Sequence, residues 1–434
     1  MYSVKKTKLG QYQRGVSIIG VGCTRWMRIL DDPETEGLTE NELFGYAALE
    51  AMKDAGVTGK DVQYYFHGGA MPITTSDYLT ANVQVGDWFG MRGSGSMAHS
   101  EACCTGYMAL DIAVSAVASG KYDMVLTGAV DMGDTLYIQD KPAHMRRRQS
   151  VADFMPTVKR CWDRAYGRDI GGGMYTGFDD FCSEYLQRYD VSEDELDEAI
   201  NCAAIANRYN ASHNPLALHQ TTWEEVAAEE GFDSADEYLK SFYNPKMSEF
   251  LRASGAEERC EGAAAVIVCP TELAYKYTDH PIEVLGTGNS VLNCIHPHWE
   301  RMATEEATRQ VYELTGVKPE DIDILYVNDF YINSQLLAAE VTGYLPEGEG
   351  WKYLKAGKTK FDGEKPINPG GGRTGFGHAH GASGMADVVD ACRQLRGEAG
   401  DHQVKNDPKY AFLRGFGGGQ NCAATILKKM EKEG

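Results

Sequence analysis

The chain has 434 residues, enough for two cores, since a single hydrophobic core stops growing at about 250–300 residues. Its 42 Lys and Arg face 63 Asp and Glu, and the formal net charge of -21 opposes binding to nucleic acid or to an anionic membrane surface. No run approaches the about 18 apolar residues of a membrane span, and the opening "MYSVKKTKLGQYQRGVSIIG" has too short an apolar stretch for a secretory signal, so a cytoplasmic protein is expected.

The first strand pattern is "GVSIIGVG" near residue 15, followed by the amphipathic helix pattern "ENELFGYAALEAMKDA" and the segment "AGVTGKDVQYYFHGG" (Ala55 to Gly69), which runs into an apolar strand. A glycine-flanked helix, "CTGYMALDIAVSAVASG", and the strand "YDMVLTGAVD" follow. From Tyr137 to about Glu258 the character changes to Arg clusters, aromatics and acidic helices such as "VSEDELDEAINCAAIANRYNA", which predicts a large insertion into the first half over 137–258.

The first series then recurs. "PIEVLGTG" near residue 281, "TEEATRQVYEL", "TGVKPEDIDILYVND" (Thr315 to Asp329), "GASGMADVVDACRQLRG" and "YAFLRGFGGGQNCAATILKK" repeat it in order. Laid over each other at an offset of 260, Gly56, Val57 and Asp61 meet Gly316, Val317 and Asp321. This predicts two α/β halves, 1–275 and 276–434, the first carrying the insertion. The strand patterns are continuous apolar runs, as in buried sheets. The helices "CTGYMALDIAVSAVASG" and "GASGMADVVDACRQL" are small and apolar around much of their circumference, as expected of helices held between two sheets, so a five-layer αβαβα build is predicted.

Four loops could carry chemistry. In "SEACCTGYMALD", Cys103 and Cys104 precede a helix, where unpaired N–H groups and the positive dipole end would lower a thiol pKa; by position alone either is a nucleophile or core filler. "GGGRTGFGHAHGASG" places His378 and His380 in a glycine-dense turn that lets an imidazole approach a ligand. "YVNDFYINSQ" ends a strand in Asn328, suited to hold a water or a carbonyl, and Asp329, read first as a helix cap. "RGFGGGQNC" offers the backbone N–H groups of Gly417 and Gly418. The eleven cysteines, odd in number and without a Cys-x-x-Cys pair, predict reduced, mostly buried thiols and no metal in this chain.

Together and in this order, the loops resemble those of the thiolase superfamily along nearly the whole chain. The family's Cys-x-Ser/Thr-Gly motif is similar to Cys103-Cys104-Thr105-Gly106, which makes Cys103 the nucleophile. Its Gly-His-Pro-x-Gly-Ala-Ser/Thr-Gly loop is similar to Gly377 to Gly384, which makes His378 the catalytic histidine. Asn328-Asp329-Phe330-Tyr331 corresponds to the Asn-Glu-x-Phe loop, or to the His-Asp-Cys-Phe loop of the sterol-carrier-protein-type branch, so Asn328 would position an oxyanion-hole water with His378. The insertion and "EGAAAVIV" resemble that same branch, with Glu261 in place of its usual Asp.

One departure stands out: Gly415 and Phe330 occupy the two places where the family carries its second, acid/base cysteine. His380, Tyr331 and Cys422 are the candidates to replace it. The resemblance implies coenzyme A as a substrate, a homodimeric core and, for this branch, a small zinc-ribbon/OB-fold partner subunit. It implies cleavage of a β-keto acyl-CoA through acyl-Cys103, and the segment "VTGYLPEGEGWKYLKAGKTKFDGEKPINPGGG" is similar to thiolase subunits acting on 2-benzoylsuccinyl-CoA. Arg373 is then expected to hold the substrate carboxylate, and Arg146, Arg147 and Arg148 the coenzyme phosphates. An acetoacetyl-CoA-type thiolase, a sterol-side-chain-type retro-aldolase using Tyr331, and a non-catalytic scaffold subunit are the alternatives.

Overall fold

The computed structural model describes residues 4–29, 38–70, 81–132, 176–292, 299–418 and 421–432. Its strands are β1 (Val16–Cys23), β2 (Tyr64–Gly68), β3 (Gly95–His99), β4 (Val125–Met132), β5 (Glu261–Pro270), β6 (Ile282–Val291), β7 (Ile324–Val327), β8 (Tyr410–Gly417) and β9 (Asn421–Lys429). They follow the order β3-β2-β4-β5-β1-β6-β9-β8-β7. Outward from the centre the two directions match: β1, β5, β4, β2 on one side and β6, β9, β8, β7 on the other. In each direction the first two pairings are antiparallel and the third is parallel. The duplication is therefore written in the topology, with β3 added to the first half. A short antiparallel ladder, Val16 to Val284 through Ile18 to Ile282, joins the two.

The helices that matter for the site are α1 (Glu40–Asp54), α2 (Thr105–Ala118), α3 (Glu193–Ser212), α4 (Trp299–Thr315) and α5 (His380–Arg396). Neighbouring strand residues point to opposite faces, and the cores divide accordingly. Ile19, Leu126 and Ile267 pack outward under Leu43, Phe44 and Ala47 of α1. Leu325, Phe412 and Ile426 pack outward under Ala303, Ala307 and Val311 of α4. Ile18, Val125, Val266, Ile324 and Leu413 point inward, where they meet Leu110 and Val114 of α2 and Val388 and Leu395 of α5. This gives helix, sheet, paired central helices, sheet, helix: the five-layer α/β thiolase build expected from the sequence.

The central helices touch backbone to backbone at their N-terminal ends. A Cβ at Gly106 would lie 2.2 Å from the Met385 nitrogen, and one at Gly384 would lie 2.5 Å from the Tyr107 ring. These two glycines decide how near the cysteine loop comes to the histidine loop. Gly106→Val should therefore lower stability by about 3 kcal/mol, near the upper end of ordinary overpacking because the obstacle is main chain. The urea midpoint reads this, and an unchanged midpoint would refute the close approach.

Candidate active site

The cysteine loop is closed by its own threonine. The Thr105 hydroxyl donates to the Ala102 carbonyl at 2.6 Å and accepts the Glu101 N–H at 2.8 Å. Ala102 takes a left-handed φ of 48°, a conformation that is costly for a residue with a Cβ and that clusters at functional sites. Cys104 then occupies the N-cap position of α2, fully buried, and Cys103 stands one residue earlier. The final glycine turn closes over them: the Gly418 backbone N–H is near enough to the Cys103 sulfur to favour its thiolate, and Asn421 Nδ2 donates to Glu101 Oε2 at 2.8 Å.

From the other half, His378 brings Nε2 to 3.3 Å from Cys103 Sγ. Its Nδ1 is 2.9 Å from the Ser383 hydroxyl, which fixes the ring plane. Main-chain bonds secure the loop: His378 N–H donates to Glu258 O at 2.7 Å, and Cys260 N–H to His378 O at 3.4 Å. The His380 ring lies 5.1 Å from that of His378, edge on, with Nδ1 3.9 Å from Asp131 Oδ1. Asp131 also accepts the Ala70 and Gly381 N–H groups at 3.1 and 3.3 Å.

The charge state departs from the helix-start expectation. Burial, joined by the nearby Glu257 carboxylate, pushes the Cys103 thiol up to about 12 despite the Gly418 N–H. Burial, helped by His380, Arg373 and Arg259, pushes the His378 imidazole well below its ordinary range. The resting pair is a neutral thiol and a neutral imidazole, because a low-dielectric site penalises both ions. Burial also lowers His380, but Asp131 and then Glu257 outweigh it and the net direction is upward.

Arg373 needs correction as a substrate ligand. It is fully buried. Its guanidinium donates to both Asp387 oxygens at 2.9 and 2.5 Å, and its Nε to Asn328 Oδ1 at 3.1 Å. With all three nitrogens engaged, it has no fork left for a carboxylate. Asn328 is likewise held, its Nδ2 donating to the Phe416 carbonyl. Asp329 is a cap, though of a different segment: it accepts the Arg373 N–H at 2.8 Å, in the turn Gly372–Gly375, and Asn207 Nδ2 of α3 at 2.6 Å.

Of the remaining expected residues, Cys422 turns away from His378, with its sulfur toward Thr304 Oγ1 at 3.7 Å beside the buried Arg414–Glu300 pair. Tyr331 packs its ring on Phe330 and Phe178. Gly417 lies against the cysteine loop, where a Cβ would come within 3.1 Å of Glu101 O. Arg146, Arg147 and Arg148 lie outside the described residues. No disulfide joins any of the nine cysteines within the described residues.

Sequence reasoning missed Glu257. Its Oε2 lies 3.4 Å from His378 Nε2, and Glu257, His378 and His380 bring ligand-type atoms within 4.8 Å of one another. No spacing signal separates it from Glu258 or Glu261 in "GAEERCEGAAA".

Two outcomes follow from this geometry. The iodoacetamide alkylation rate of Cys103 in ligand-free protein should climb about tenfold per pH unit from about pH 7 to about pH 9, since the thiolate fraction of a raised thiol grows that way; a plateau already reached at neutrality would reveal an ion pair instead. Arg373→Met should cost about 3–5 kcal/mol in denaturant unfolding, because Asp387 is left buried and unpaired. A variant of normal stability with only a raised KM would restore the substrate-ligand reading.

Comparison with known proteins places the chain. Residues 292–429 match the family described as thiolase C-terminal domain-like. The chain is 28% identical to an acetyl-CoA acetyltransferase of Methanothermobacter thermautotrophicus, covering 95% of this chain and 99% of that protein. It is 29% identical to benzoylsuccinyl-CoA thiolase subunit BbsB of Thauera aromatica, covering 95% and 97%. Among solved structures, an Ltp2-ChsH2(DUF35) aldolase superposes with a TM-score of 0.72 at 19% identity over 96% of this chain and 98% of that one, a likeness of fold. Residues 292–429 thus carry a thiolase C-terminal domain, and with its duplicated five-layer build the chain as a whole is similar to thiolase-type proteins along nearly its full length.

Proposed function

We propose that the chain is an acyl-CoA acyltransferase of the thiolase type, which cleaves a β-keto acyl-CoA with coenzyme A through an acyl-Cys103 intermediate. The observation that carries this reading is the 3.3 Å approach of His378 Nε2 to Cys103 Sγ across the two halves. His378, uncharged at rest, is ready to take the thiol proton as sulfur attacks the keto carbonyl. The Gly418 and Gly417 backbone and the second Nδ2–H of Asn328 are the groups suited to meet developing oxyanions. The names of the two relatives, one an acetyl-CoA acetyltransferase and one a thiolase subunit, support the same reaction class.

The finer reading, 2-benzoylsuccinyl-CoA cleaved to benzoyl-CoA and succinyl-CoA, rests on the Thauera relative alone, and Arg373 does not serve its free carboxylate. A small partner subunit fits the naming of that relative as a subunit and of the aldolase as a DUF35 complex. No helix among the described residues is long and apolar enough to cross a membrane, and the absence of disulfides among the described cysteines suits a reducing compartment.

Intact mass spectrometry after incubation with a panel of acyl-CoA thioesters, acetyl-, succinyl- and benzoyl-CoA among them, should show one acyl adduct, located on Cys103. Cys103→Ala should remove the adduct and lower turnover at least about a thousandfold, while Cys104→Ala keeps both. Carbon–carbon cleavage with no adduct on Cys103 would favour the retro-aldolase reading instead.

A further inference from the structure

The reaction just proposed needs a second proton-transfer group, one that protonates the enolate released when the carbon–carbon bond breaks and then deprotonates coenzyme A. A cysteine cannot do this at either of the places its relatives would use. A Cβ at Gly415 would lie 2.3 Å from the Tyr107 ring, so a side chain there has no room. Phe330 fills the other place, its ring parallel to that of Phe416 at 5.9 Å. Cys422 faces Thr304, and Tyr331 belongs to the aromatic cluster with Phe178.

We propose that Glu257 is that group: its carboxyl, 3.4 Å from His378 Nε2 on the side that faces the Cys103 sulfur, shuttles the second proton. This rests on the thiolase reading above. A carboxylate that merely orients a histidine binds the nitrogen remote from the nucleophile, but here that position is held by Ser383 Oγ at 2.9 Å from Nδ1. Glu257 shares the reacting face instead. It is fixed there by its own N–H donating to Phe330 O at 2.8 Å, by Arg259 Nε at 3.3 Å from Oε1, and by the pairing of the next residues with the histidine loop. Its side chain keeps 16% of its surface exposed, so it is neither sealed in the core nor dispersed into solvent.

The proton balance closes. Cys103 gives its proton to His378 as sulfur bonds to the keto carbon, and His378 Nε2 hands it on to the Glu257 carboxylate 3.4 Å away. The electron pair of the breaking carbon–carbon bond becomes an enolate, whose α-carbon takes the proton of the Glu257 carboxylic acid. The resulting carboxylate removes the thiol proton of incoming coenzyme A, whose sulfur forms the new bond to the acyl carbon. Cys103 leaves and recovers a proton from the Glu257 carboxylic acid by way of His378, and all three groups return to their starting states.

The test compares Glu257→Gln, Glu257→Asp and His380→Gln with the unaltered chain, using two readouts: α-proton exchange of acetyl-CoA and propionyl-CoA in deuterium oxide, and alkylation of Cys103 by iodoacetamide. Glu257→Gln should lose exchange by about 10²–10⁴-fold, the usual contribution of a positioned acid/base group. Its alkylation should be unchanged or faster, because a negative neighbour of the thiol is gone. Glu257→Asp should recover part of the exchange.

Equal loss of exchange and alkylation in Glu257→Gln would make the residue a positioning group for His378. Loss of exchange in His380→Gln alone would give His380 the role. Stoichiometric zinc in the purified protein that disappears in Glu257→Gln would mark a metal site. Each of these overturns the assignment, as does an unaltered protein that acylates Cys103 yet exchanges no α-proton. Failure to acylate Cys103 at all would sink the thiolase reading itself.

Discussion

The contact between the N-terminal ends of the two central helices is the constraint on which everything at the site depends. Cys103 and His378 are 275 residues apart, one in each half, and they meet because Gly106 and Gly384 let α2 and α5 approach without an intervening side chain. The same crossing places the Tyr107 ring against both Gly384 and Gly415. Its hydroxyl donates to Asp387, so the residue that fills the space at Gly415 is also tied to the ion pair beneath the histidine loop. Helix packing and the loss of a cysteine position thus have one cause.

Burial then sets the chemistry. Both members of the reacting pair lie in a site where ions are poorly solvated, so each is held in its neutral form and the proton is moved only as substrate charge develops. Neutral groups require fixed geometry in place of charge attraction, and the surroundings supply it. Ser383 holds the ring of His378, and Arg373, saturated by Asp387 and Asn328, welds the histidine-bearing segment to the end of β7. Helix α3 of the inserted region adds Asn207, which joins Asp329 and Thr374. A buried arginine–carboxylate pair of this sort contributes little net stability, but removing one partner is costly, which makes it suited to holding a loop in a single place.

Much of this was legible from residue patterns. Strands and helices on both sides of the insertion could be read because apolar periodicity is local, and the recurrence of the same series exposed the duplication. Thr105 and Gly106 beside the cysteines, and Ser383 and Gly384 beside the histidines, carried the resemblance that separated Cys103 from Cys104. The reading went astray where a side chain's role depends on what faces it. Arg373 stands next to a reactive loop in sequence, yet its guanidinium turns inward to Asp387, fourteen positions on. A helix start suggested an acidic thiol, but the surrounding core and Glu257 raise it.

What the sequence by itself determined is the repeated α/β pattern, the small-residue faces of the central helices and the identity of the reactive loops, since each is encoded in spacing along one segment. Only the tertiary structure decided which acidic residue of "GAEERCEGAAA" enters the site. The Glu257 segment pairs with the histidine loop through the main chain of Glu258 and Arg259, which turns the Glu257 carboxyl toward His378 while Glu258 reaches Arg28 and Glu261 accepts the Ile29 N–H, a long-range arrangement that leaves no periodic trace. The same holds for the blocked position at Gly415, where the obstacle is a tyrosine more than three hundred residues away in the chain.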